Sequence, residues 1–244
     1  MGSVGSDPKE RRPVKLWEIA RKKQSRLIIA LDVFNNLRLN GREVIEKYSR
    51  LLETCRDFIV GVKIGLPLLL KAGSRDIQDL IEKFKEDFYM IADFKLADIP
   101  EIVNISLKII KDIGFDGSII HLFQGGLQKI SLDTLDIFGV LIMSHPEAKL
   151  LEENIDRLII EASSNKIVGV VVGATKEHFI REVRRKLSDK TIISPGVVTQ
   201  GGEIGASLRC GSDFEIIGRA VTFSEDPLPI LRRIVEVERN VLKK

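Results

Sequence analysis

The stretch "DFKLADIP", residues 93–100, puts Asp93, Lys95 and Asp98 directly after the apolar run "FYMIA". Burying charge is expensive unless each group is paired. Two further charges close other apolar runs: Asp32 after "LIIAL", and Lys63 within "VKIG". Together they form an alternating Lys/Asp set in which each charge can stay ionised beside an opposite one. Carboxylate neighbours favour the ammonium form of Lys95, which argues against Schiff-base chemistry. A standing ammonium suits stabilising a developing anion and giving it a proton. A carboxylate beside it would repel a substrate carboxylate and favour its loss as CO2. The chemistry indicated is carbanion formation without an organic cofactor.

Anion-binding features accompany this set. "GRAV" at 218–221 joins a glycine, which lets an anion approach backbone N–H groups, to Arg219, whose fork suits phosphate oxygens. "PGVVTQGG" at 195–202 has the glycines of a mobile loop and an amide, Gln200, to offer a ligand. A phosphorylated substrate follows. Structural roles compete for the same residues. "DIPE" reads equally as a capping box with Asp98 as N-cap and Glu101 at N3. Asp93 with Lys95 could be a barrel-layer ion pair. His121, His145 and His178 lack metal-ligand spacing and read as packed or exposed side chains.

Elements that could gather these residues recur along the chain. Strand candidates are 27–33, 58–65, 88–95, 117–123, 136–144, 167–173, 191–197 and 214–220. Helical patterns fall between and after them, at 41–55, 74–85, 101–113, 125–133, 150–164, 176–187, 202–210 and 227–242. Eight alternating units imply a parallel sheet and close naturally into a single-domain α/β fold, the (β/α)8 TIM barrel. An open doubly wound sheet is the competitor, but no GxGxxG follows the first strand. In a barrel the C-terminal strand ends carry function, and Asp32, Lys63, Asp93, Lys95, Ser144 and Arg219 all fall there.

The chain has 244 residues and a formal net charge of +3. Residues 1–26 hold eight Lys/Arg against three acids, a net +5 that leaves −2 for the rest. The basic excess is thus a leading segment, not a groove, and no nucleic-acid partner is expected. Residues 1–20 read as a disordered or tag-like segment with a short helix following, "VKLWEIARKKQSR" being the helical pattern. Residues 21–244 read as the barrel domain. Two distant cysteines, Cys55 and Cys210, suit a reducing, cytoplasmic setting. No apolar run is long enough to span a bilayer.

The motifs "IALDV", "VKIGLPL", "IADFKLADIPE", "MSHPEA", "ISPGVVTQGG" and "IIGRAV" resemble, in order and spacing, those of the orotidine 5′-phosphate decarboxylase family, in its short stand-alone archaeal form. The likeness runs from about residue 26 to the C-terminus. It implies decarboxylation of orotidine 5′-phosphate to UMP and CO2, the last step of de novo pyrimidine synthesis, without cofactor or metal. It implies that Lys95 protonates C6 of the pyrimidine and that Asp93 sits against the leaving carboxylate. Lys63 and Asp98 complete the network, and Asp32 with Lys63 holds ribose hydroxyls. Ser144 and Gln200 read the pyrimidine edge, and Pro195 and Val197 line the pocket. Gln200, Gly218 and Arg219 hold the phosphate, and Ile99 belongs to the substrate-binding set. A homodimer is implied, with Asp98 entering the partner's site.

Relatives such as 3-keto-gulonate 6-phosphate decarboxylase and hexulose-phosphate synthase share DxKxxD. Those relatives use Mg2+, with a glutamate ligand where this chain has Lys63, and an ammonium cannot ligate a metal. A Mg-dependent sugar-phosphate lyase or aldolase is therefore the alternative reading. A non-enzymatic nucleotide- or RNA-binding barrel is a third. The chain departs from the family at Ile102 and Val103, where a hydroxyl is common, and at Leu122 and Glu147, where glycine is frequent.

Overall fold

The computed structural model describes residues 13–33, 38–131, 135–163, 167–198 and 201–243. Eight parallel strands close into a barrel in sequence order. They are β1 (Leu27–Leu31), β2 (Gly61–Gly65), β3 (Tyr89–Leu96), β4 (Gly117–His121), β5 (Asp136–Ile142), β6 (Gly169–Val172), β7 (Thr191–Pro195) and β8 (Phe214–Ile217). Around and between them lie α1 (Val14–Lys23), α2 (Gly41–Cys55), α3 (Leu66–Ala72), α4 (Ser74–Phe84), α5 (Pro100–Ile113), α6 (Lys149–Glu153), α7 (Ile155–Ser163), α8 (Glu177–Lys186), α9 (Ala206–Arg209), α10 (Arg219–Thr222) and α11 (Leu228–Leu242).

The expected barrel is present, with differences of detail. Helix α2 spans the residues expected of it and starts on a capping box, Asn40 and Glu43. Helix α3 fills a stretch left unassigned, because Gly73, at φ 84°, separates it from α4. The helix expected at 125–133 shrinks to a single turn, Leu127–Lys129, behind two glycines of positive φ. The helix expected at 150–164 is divided at Asn154. Only Ala206–Arg209 of 202–210 is helical, and strand 214–220 stops at Ile217 so that α10 can begin. Helix α1 begins inside the segment assigned to the leader, whose first twelve residues lie outside the described set.

The interior is packed by alternating bulk and emptiness. Tyr89 and Phe138 are buried and meet edge to face at 6.4 Å. Residue Gly169 lies where a Cβ would come within 2.7 Å of the Phe138 ring, so that layer closes only if β6 contributes no side chain. Below it, α1 covers the N-terminal end of the barrel. Leu16, Ile19 and Ala20 are buried. Lys15 pairs with Asp116 at 2.8 Å, and Trp17 donates to Thr191 at 3.0 Å. Lys23 donates to the carbonyls of Ile59 and Asp87 at 2.9 and 2.7 Å. These four anchors sit just before or at the start of β2, β3, β4 and β7.

Two carboxylates are buried in the wall between β8 and the outer helices, Glu215 and Glu238. Glu238 accepts the Arg26 N–H at 3.0 Å. Burial pushes its pKa up from 4.5 to about 8, against the opposing N–H of Arg26. A carboxyl that holds its proton more tightly when folded stabilises the fold fully below pH 4.5, and that contribution is lost as pH rises through about 8. Glu238→Gln keeps the acceptor and removes the titration. Its melting temperature is expected to equal or trail wild type at pH 5 and to exceed it by pH 9, by roughly 2–4 °C per kcal/mol recovered. A gap independent of pH, measured by calorimetry, would refute this.

Candidate active site

The C-terminal strand ends enclose a cavity of about 280 Å3. Its charged half comes from β1 to β3 and the end of β8: Asp32, Lys63, Asp93, Lys95 and Arg219. Its opposite wall is apolar, with Ile119, Val140 and Val171 from β4, β5 and β6. Three cations stand against two carboxylates, which suits an anionic ligand with a flat apolar face.

Asp93 is the centre of the charged half. Its carboxylate accepts from Lys63 Nζ through one oxygen and from Lys95 Nζ through the other, each at 2.7 Å. Asp93 and Lys63 are buried, while Lys95 is partly open to the cavity mouth. Burial alone would raise the Asp93 pKa. The two ammonium groups more than reverse that and hold it at about 2.

Lys95 does not reach Asp93 by simple strand alternation. Ala92 of β3 stands opposite Ser118, yet Leu96 stands opposite Ile120, so four residues of β3 advance over two of β4. Within this bulge Lys95 adopts φ 46°, in the left-handed region that lysine rarely visits. Backbone strain of about 1–3 kcal/mol is typical of such sites. It places the ammonium where a regular strand would not.

Asp32 follows β1 and lines the cavity. Burial raises its pKa, and Lys63 partly offsets this. The Tyr48 hydroxyl donates to its backbone carbonyl. A Cβ on Gly65 would lie 3.1 Å from an Asp32 carboxylate oxygen, so glycine clears the space that carboxylate occupies. Ser144, Pro195, Gly218 and Arg219 also line the cavity. Val197 does not. It is fully buried beside the cavity and bridges to Gly202. Gln200 lies outside the described residues.

Asp98 and Ile99 stand apart from the cavity and are exposed. The capping-box reading of Asp98 is corrected here: Ile99 is the N-cap of α5, with Pro100 at the first helical position. A residue before proline is driven to extended backbone, so Ile99 cannot enter the helix and Asp98 sits one position too early. Its carboxylate instead accepts the Ile99 N–H at 2.7 Å. His145 lines the cavity although its sequence context marked it as ordinary. His121 packs on Phe123, and burial together with nearby Lys95 lowers its pKa. Gly65, His145 and the apolar wall were not singled out in the sequence. Inward parity with Lys63 and Asp93 was the available signal for Gly65 and the wall.

The chain matches the family described as "Orotidine 5'-phosphate decarboxylase / HUMPS family" over residues 25–234. This chain belongs to that family. The orotidine 5′-phosphate decarboxylase of Pyrococcus furiosus is 33% identical over 213 residues, covering 86% of this chain and 96% of the relative. That of Aeropyrum pernix is 37% identical over 186 residues, covering 72% and 75%. The crystal structure of orotidine 5′-monophosphate decarboxylase from Metallosphaera sedula superposes with a TM-score of 0.75 at 34% identity, covering 89% of this chain and 99% of that one. Family membership and the Lys63–Asp93–Lys95 geometry thus coincide in one cavity.

The depressed pKa of Asp93 has a thermodynamic sign. A carboxylate lowered from 3.8 to about 2 contributes stability above the unfolded value, and this is lost as pH falls through about 2. Lys95→Met removes one of its two ammonium partners. The Asp93 pKa, followed by carboxyl carbon NMR, is expected to rise by at least about one unit. An unchanged value would show that the pairing does not set it.

Proposed function

We propose that this protein decarboxylates orotidine 5′-phosphate to UMP and CO2, as a carboxy-lyase that uses no cofactor. The observation that carries this is one buried carboxylate shared by two ammonium groups in the cavity of a family barrel. Arg219 and Gly218, with Gln200, would hold the phosphate. Asp32 and Lys63 would hold the ribose, and Ser144 with Gln200 would read the pyrimidine edge beside Pro195. The carboxylate would then face Asp93. As the C6–carboxyl bond breaks, its electron pair stays on C6 and takes a proton from Lys95 Nζ, which regains one from solvent. Interactions with the distant phosphate are spent on positioning the reacting end. Lys63 supports this reading over a metal-dependent one, since an ammonium at that place offers no lone pair to a cation.

The decisive assay follows the ultraviolet absorbance of orotidine 5′-phosphate with EDTA-treated protein. Wild type is expected to consume it, and Lys95→Ala to lose about 10²–10⁴-fold in kcat. An inert wild type would overturn the activity. A fully active Lys95→Ala would overturn the mechanism.

A homodimer, with Asp98 and Ile99 completing the partner's site, belongs to the same proposal. Ile99, Ile102, Ile105 and Ile109 are 60, 44, 57 and 55% exposed, a stripe along α5 starting beside Asp98. Such a stripe suits a self-complementary contact. Ile105→Glu is expected to shift sedimentation toward monomer and to lower activity with it; a dimer of full activity would refute the arrangement. Among the described residues no helix is long and apolar enough to cross a membrane. A cytoplasmic location, residues 21–244 as the barrel domain, and the lack of a nucleic-acid or membrane partner complete the reading.

A further inference from the structure

Three consecutive residues, Met143, Ser144 and His145, line the cavity where the chain has left β5 and not yet entered α6. A segment outside strand and helix has no ladder of its own, so its backbone groups need other partners. The end of β6 and the turn after it supply them. One contact is a close approach of backbones. Gly173 follows β6, and a Cβ there would fall 2.6 Å from the Ser144 Cα and 2.8 Å from its N, a space only glycine leaves open. The other is a hydrogen bond. The Thr175 hydroxyl donates to the Ser144 carbonyl at 2.9 Å. Thr175 itself lies behind this wall and does not line the cavity.

The turn that carries Thr175 is tied on both sides of Ser144. The Lys176 N–H donates to the Gly173 carbonyl at 3.0 Å and closes the turn between β6 and α8. The Gly173 N–H donates to the Ile142 carbonyl of β5 at 2.9 Å. Lys176 Nζ pairs with Glu152 of α6 at 2.7 Å, both side chains being largely shielded from solvent. The sheet marks the same place. Two residues of β5, from Val140 to Ile142, advance over one of β6, from Val171 to Val172. A bulge re-aims the chain that follows it. Here that chain is the segment that lines the cavity with three residues in a row instead of alternate ones.

We propose that Thr175 is a positioning residue, whose hydroxyl orients the Ser144–His145 peptide and so the contact this wall makes with the pyrimidine edge of the ligand. This rests on the reading of Ser144 as a residue that meets that edge. Thr175 touches no substrate. Because a peptide unit is planar, a carbonyl held from behind fixes the whole unit, and Ser144 meets the base from one orientation. Without the bond that unit gains freedom, which binding of the base then has to remove. The base end of the ligand feels the loss. The phosphate end, at Gly218 and Arg219 after β8, does not.

The test compares UMP with ribose 5-phosphate, which shares its sugar and phosphate but has no base, by calorimetric binding to folded protein. For Thr175→Val the Kd for UMP is expected to rise about 3–10-fold, the size of one neutral hydrogen bond, and that for ribose 5-phosphate to stay within about twofold. Thr175→Ala is read in its place if Thr175→Val does not fold. Thr175→Ser keeps the hydroxyl and is expected to bind UMP within about twofold of wild type. Thr191→Val makes the same exchange at the other end of the barrel, where Thr191 accepts from Trp17, and is expected to change neither constant. A role confined to stability would weaken the two ligands in parallel or neither. Either result overturns the proposal, as does a Thr175→Ser variant that binds UMP as weakly as Thr175→Val. A wild type that binds UMP no more tightly than ribose 5-phosphate would overturn the reading of Ser144 and the proposal together. A wild type that prefers UMP but leaves orotidine 5′-phosphate intact would overturn the decarboxylase reading alone, while the ratio of the two constants in Thr175→Val would still judge Thr175.

Discussion

One carboxylate holds the upper half of this barrel in order. Asp93 is almost wholly removed from water, and an isolated charge there would be neutralised or expelled. It stays ionised because Lys63 reaches it from the neighbouring strand and Lys95 from its own. The arrangement is demanding, since taking two charges out of water and holding a third at the cavity mouth is offset only by good geometry. That geometry forces the other features. The β3 bulge and the left-handed backbone of Lys95 exist to bring its ammonium round. Gly65 yields its side-chain space to Asp32, whose charge borders the same lysine. The result is a fixed electrostatic environment that needs no rearrangement when charge develops on a ligand.

The rest of the barrel supplies the rigid frame behind this cluster. Aromatic bulk set against glycine fills the lower layers, and the outer helices bury Ile, Leu and Val faces against the strands. Strain is concentrated at the cavity and offset by close packing at the other end, a division common in enzymes. Buried carboxylates behind β8 extend the same logic. Glu215 is satisfied by the Gly205 N–H and the Ser207 hydroxyl, which tie the start of α9 to the sheet.

Much of this was legible in the sequence. Apolar β-branched runs such as "IVGVVVG" have nowhere to go but a doubly covered strand, so all eight strands could be placed, with ends off by a few residues. Lys63, Asp93 and Lys95 announced themselves because charge at the end of such a run needs a reason. What escaped notice depends on spacing in three dimensions. The short helix α3 looks like a continuation of apolar strand until Gly73 ends it. The bulge at Lys95 is invisible because "DFKL" alternates plausibly as a regular strand, although the chain does not follow that path. Asp98 reads as a cap by residue type, and only the backbone restriction imposed by Pro100 moves the cap to Ile99. Glu215 was not singled out, since its donors, Gly205 and Ser207, arrive from a turn that carries no motif.

Helix α1 has one further consequence. By stoppering the N-terminal end of the barrel with Leu16, Ile19 and a ring of anchors on four strand starts, it makes the cavity a cul-de-sac. Among the described residues the cavity opens at the C-terminal strand ends, beside Arg219, Pro195 and Gly196. In a decarboxylase built this way the gas has no rear exit.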